Sequence, residues 1–197
     1  MSAVAVEAPP LPVHAGPLGL LSFAVRERRT RRPIQQVREI MDDNPTGLSI
    51  DELGVILFTA YIIPEPGGAS RPPLVLIERD KWAHWFWSVG FLTCGFRTTN
   101  GRPRQPMTLY RASTEEHSRT GLSWTPGRRW ASEYADLRAR ELRQAGDGAS
   151  VHVYAAEIQP SWLLGMNAAV AGLSGNEYIV DLPEHAEVRC LTGEPTC

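Results

Sequence analysis

The chain has 197 residues, 43% of them apolar, and a formal net charge of −2. That length suits one good domain, or a small domain with an elaborated flank, and the apolar share leads one to expect a packed core and not wholesale disorder. A predicted pI near 6.2 gives no electrostatic footprint for nucleic acid or for an anionic membrane.

Lys81 is the only lysine, so nearly all positive charge is on arginine, a bias that reads as codon usage in a GC-rich genome. Cys94, Cys190 and Cys197 have no paired spacing, which argues against both a disulfide framework and a zinc site. No basic segment opens the chain, and the apolar stretch Gly19–Val25 is too short to span a bilayer. A cytoplasmic location is therefore expected.

Residues 1–20 hold Pro9, Pro10, Pro12 and Pro17 and are expected to form a flexible N-terminal arm. The basic run Arg26, Arg28, Arg29, Arg31 and Arg32 reads as a solvated helix or linker face rather than a phosphate-binding patch. Pro33 suits the first turn of a helix to about Met41, with Val37, Ile40 and Met41 on one side. Asp42–Pro45 breaks it. Ser49 with Glu52 makes a capping box for the next helix, which runs through Leu53, Ile56, Leu57 and Ala60 to about Ile63.

Pro64–Pro73 reads as a loop, and Leu74–Ile77 is apolar. Trp82, Trp85, Phe86 and Val89 then recur at helical spacing, as a core-facing stripe should. After the turn at Asn100-Gly101 the period changes. Strands are expected at Met107–Ser113, Gly121–Thr125, Val151–Ile158, Tyr178–Leu182 and Ala186–Thr192. A helix is expected over Arg128–Gln144, with Trp130, Tyr134, Leu137 and Glu141 on one face. The fold class is α+β, with a helical region at 21–105 followed by a strand-rich domain at 106–197.

Four short pieces of that domain fall in a telling order: Leu109–Ser113, Gly121–Thr125, Trp130–Ala135 and Gly175–Asp181. The order resembles ADP-ribosyltransferases of the arginine–serine–glutamate type, including transferase-like domains of uncharacterised actinobacterial phage proteins. The resemblance implies a split β-sandwich that uses NAD as substrate, needs no metal, and works in the cytoplasm of a bacterial host cell. By the same resemblance Arg111 holds NAD, Ser123 and Thr125 form the Ser-x-Thr brace of the nicotinamide pocket, and Glu177 is the catalytic carboxylate. In a related histidine–tyrosine–glutamate branch an aromatic eleven positions beyond the brace residue stacks on nicotinamide, and Tyr134 lies at that distance from Ser123.

The chemistry can be argued from the residue types as well. Breaking the nicotinamide–ribose bond builds positive charge on the ribose, which the carboxylate of Glu177 can stabilise. The planar guanidinium of Arg111 suits a pyrophosphate. The flat nicotinamide cation suits an aromatic face at Tyr134 or Trp124. Gly175 stands where arginine-modifying members carry Glu or Gln, so the resemblance does not extend to arginine as acceptor. The acceptor is unidentified, a host protein being one candidate. The alternatives are an NAD glycohydrolase and an inactive transferase-like binding or inhibitor module of phage origin acting on a host protein.

Overall fold

A computed structural model describes residues 17–30, 32, 34–62, 77–98, 100–114, 120–167 and 177–192. The arm before Pro17, Arg31, Pro33, nearly all of the expected stretch from Pro64 to Ile77, and Gly175 lie outside these. The described chain mixes helix and sheet and divides into two compact units, Met1–Glu78 and Arg79–Cys197. The boundary falls well before residue 105, so the Trp-rich helix belongs with the strands that follow it. Among the described residues no helix is long and apolar enough to cross a membrane.

The first unit holds α1 (Pro17–Thr30), α2 (Ile34–Asp43) and α3 (Ile50–Ile62). Both α1 and α2 pack on α3. That explains why the burial on α3 exceeds the expected single stripe: Val55, Phe58 and Tyr61 are buried along with Ile56 and Leu57. The capping box forms, with Glu52 Oε2 accepting from the Ser49 backbone N–H at 2.9 Å and Ser49 Oγ accepting from the Glu52 N–H at 3.3 Å. The basic run departs from expectation at Arg32. Its guanidinium grips buried Glu27 with two bonds of 2.9 and 2.8 Å, the fork geometry that makes arginine a good buried partner.

The second unit opens with α4 (Arg79–Val89), whose Trp82, Trp85, Phe86 and Val89 are all buried as their spacing predicts. A short hairpin of β1 (Leu92–Thr93) and β2 (Phe96–Arg97) follows. Its turn residues Cys94 and Gly95 both take positive φ, 53° and 89°. Then come β3 (Met107–Thr114), β4 (Ser123–Trp124), α5 (Arg128–Gln144), β5 (Val151–Ile158), β6 (Leu163–Asn167), β7 (Glu177–Val180) and β8 (Val188–Cys190). One sheet runs β2-β1-β6-β7-β4 and the other β3-β5-β8.

Strand alternation explains the layering. Leu109 on β3, Ala156 and Ile158 on β5, Leu163 on β6, and Tyr178 and Val180 on β7 form one core, to which both sheets contribute. The opposite face of the three-stranded sheet, through Tyr110, Ala112 and Val153, receives α5 at Ala131 and Ala135. The helix therefore docks on small residues. On the face expected from its larger side chains, Tyr134 is 57% and Leu137 48% exposed. Two alanines let the helix backbone approach a sheet that is already lined with Tyr110 and Val153, and the bulkier side chains are displaced to the flanks.

Candidate active site

Among the described residues an isolated bridge joins the two sheets, between the middle of β3 and the residue that follows β4. Tyr110 N–H donates to the Thr125 carbonyl at 2.7 Å, and Thr125 N–H donates back to Tyr110 at 2.8 Å. This bridge places residue 111 of one sheet beside residue 123 of the other. On β3, Met107 and Leu109 point into the shared core, and period two puts Arg111 next along that face. Its Nη1 donates to the Ser123 carbonyl at 2.8 Å.

Gly121 makes room for this arginine. A Cβ there would fall on the guanidinium carbon and nitrogens of Arg111, so no other residue fits without displacing it. The segment is pinned from a second direction by Arg79. Its Nε donates to the Thr120 carbonyl at 2.9 Å, while Nη2 donates to Asp181 Oδ1 at 2.8 Å and to the Leu182 carbonyl at 2.9 Å. Asp181 Oδ2 in turn accepts from the Trp87 indole at 2.8 Å. The first residue of α4 thus ties the approach to β4 to the end of β7.

Glu177 begins β7, which lies between β6 and β4. Ser123 pairs with Ile179 and Trp124 with Tyr178, which places Ser123 and Glu177 diagonally on one face. The Ser123 hydroxyl donates to Glu177 Oε1. On the other side Asn167, the last residue of β6, stands directly opposite Glu177, and its side chain hydrogen-bonds the carboxyl group. Burial pushes the Glu177 carboxyl above its ordinary range; the Asn167 hydrogen bond and the positive charge of Arg111 pull the other way without cancelling it.

Arg111, Ser123 and Glu177 therefore meet, contributed by three strands and two sheets. Thr125 serves elsewhere: its backbone makes the inter-sheet bridge, and its Oγ1 accepts a long 3.4 Å bond from the Gly127 N–H just before α5. The two aromatic candidates are not brought to this meeting point. Trp124 is 1% exposed, buried in the inter-sheet core with its Nε1 donating to the Gly121 carbonyl at 2.7 Å. Alternation on β4 sends it to the face opposite Ser123, so its ring is not offered to a ligand. Tyr134 projects into solvent from α5, a helix that covers the face of β3 opposite the one carrying Arg111.

Three members of the arrangement carry no role that the sequence signals: Asn167, Gly121 as the seat of Arg111, and Arg79 as the clamp. Asn167 gives no such signal because Leu163–Asn167 is a short run interrupted by Gly165, where no polar–apolar alternation marks a strand. Comparison of the chain with family models, with curated proteins and with solved structures finds no match.

Proposed function

We propose that the second unit is an ADP-ribosyltransferase-like domain of the arginine–serine–glutamate type, a split β-sandwich that cleaves NAD and passes ADP-ribose to an acceptor. The observation that carries this reading is the convergence on one residue. Ser123 receives Arg111 at its carbonyl and gives its hydroxyl to Glu177. A cation and a carboxylate held about one serine suit a substrate that has an anionic pyrophosphate at one end and a developing ribosyl cation at the other.

In this reading the planar guanidinium of Arg111 holds the pyrophosphate. Ser123 fixes the carboxylate of Glu177 near the ribose hydroxyls. The nicotinamide–ribose bond breaks with its electron pair leaving on the pyridine nitrogen, so nicotinamide departs neutral and positive charge builds on the ribose. Glu177 stabilises that charge. The acceptor's nucleophile then bonds to the anomeric carbon and releases its proton to solvent water. Neither Trp124 nor Tyr134 takes part, so the nicotinamide ring is held by other groups.

One observation favours a second reading. Arg111 is seated on Gly121 and bonded to a backbone carbonyl, a brace that would also suit a shell acting only as a binding module. Addition of NAD separates the two. A ligand that binds the folded state alone must raise the melting temperature, by an amount that grows with its concentration. The transferase reading predicts such a rise, and its absence at millimolar NAD would favour the binding module.

A further inference from the structure

We propose that Asn167 is a positioning residue for Glu177, gripping its carboxylate from β6 while Ser123 grips it from β4. This rests on the functional reading above, because it assigns a role within that same site.

The argument starts from strand order. β7 has β6 on one side and β4 on the other, so a side chain on its exposed end can be reached from both neighbours. The register brings one polar residue from each. Asn167 is the direct cross-strand partner of Glu177, and Ser123 is its diagonal neighbour. Both contribute hydrogen bonds to the carboxyl group. Arg111 on β3 is the charged group that acts on Glu177 across the site.

The need for two grips follows from the side chain itself. Glutamate has three rotatable bonds, and fixing them costs roughly 1–2 kcal/mol in lost rotamer freedom. A carboxylate that must face a ribosyl cation works best when that cost is met before substrate arrives. A single hydroxyl leaves the group free to swing about one bond, whereas a second donor from the opposite strand removes that freedom. Asn167 is also chemically suited to the task. Its amide donates without adding charge, so it holds the ionised form of Glu177 and does not compete with Arg111 for it.

The test compares the full-length protein with Asn167→Leu, which keeps the approximate shape but has no donor, and Asn167→Asp, which replaces the amide with a second carboxylate. Two readouts are taken. Carbon-13 NMR follows the titration of the Glu177 carboxyl without substrate, and nicotinamide release from NAD gives kcat and KM. We expect Glu177 to titrate at higher pH in Asn167→Leu and higher still in Asn167→Asp. We expect kcat to fall between about ten- and a hundredfold with KM changed less than about twofold.

An unmoved titration in both variants overturns the contact, and a moved titration with unchanged kcat overturns the positioning role. If the wild type itself releases no nicotinamide, the transferase reading fails and the positioning role falls with it, while the titration still decides the contact. If one variant does not fold, the other decides.

Discussion

The Ser123 hydroxyl and the Glu177 carboxylate are bonded across adjacent strands, one diagonal step from the register pair of Ser123 with Ile179. The relationship depends on the backbone, because it requires β4 and β7 to be antiparallel neighbours in that register. It also sets Glu177 in a partly buried position, where its charge costs stability. That conflict between function and stability leads to the first prediction.

Burial raises the Glu177 carboxyl above its ordinary value of 4.5, so the folded state holds that proton more tightly than the unfolded chain does. Its favourable contribution to stability is complete below the ordinary value and is lost as pH rises through the folded one. Glutamine carries no such liability and still accepts the Ser123 bond through its carbonyl. Glu177→Gln should therefore melt above wild type at pH 7, with the gap closing as pH falls below 4.5. Calorimetric scans across that range check it; an equal or lower melting temperature at pH 7 would contradict it.

Gly121→Ala should leave the fold intact and disable Arg111. The three atoms nearest the added Cβ all belong to the guanidinium end of a flexible side chain, so the arginine is expected to move and the backbone is not. A charged hydrogen bond contributes about 1.5–3 kcal/mol, so NAD should bind roughly tenfold or more weakly. Titration calorimetry reads this directly, and unchanged affinity would remove Arg111 from the binding role.

Much of the second unit was legible in sequence because its elements are long or strongly patterned. Arg128–Gln144 and Val151–Ile158 begin and end where their periods predict. The buried side of α5 was not legible, because apolar size suggested Trp130 and Tyr134, while the buried residues are Ala131, Ala135 and Leu142. Likewise β6 and the two-residue strands β1 and β2 are too short for periodicity to detect, and the Cys94-Gly95 turn lacks the Asn-Gly or Asp-Gly signature of a tight hairpin. In the site, Arg111, Ser123 and Glu177 could be named from motif order. Asn167 could be found only from the pairing of β6 with β7, which is a tertiary fact.

The contrast between the two aromatics is measurable. Trp124 fills the core between the sheets, so Trp124→Ala should cost about 3–5 kcal/mol. Tyr134 is solvent-exposed, so Tyr134→Ala should change stability by less than about 0.5 kcal/mol. Urea unfolding of both variants checks the pair. Similar losses for the two would mean that α5 is rotated from the orientation described.

Arg79 is expected to matter for stability more than its half-exposed position suggests. Arg79→Met removes bonds to Thr120, Asp181 and Leu182 at once, and about 2–3 kcal/mol of stability should go with them. Arg79→Lys should recover only part of this, since an ammonium cannot reproduce the planar fork. Full recovery by lysine would show that charge alone matters there.

The most direct measurement is nicotinamide release from NAD by purified protein, wild type beside Glu177→Gln, with and without cell lysate as a source of acceptors. The account predicts release by the wild type and its loss by at least about a hundredfold in the variant, in a protein that still folds. Equal release by both, or none from either, would contradict the assignment of Glu177 as the catalytic carboxylate.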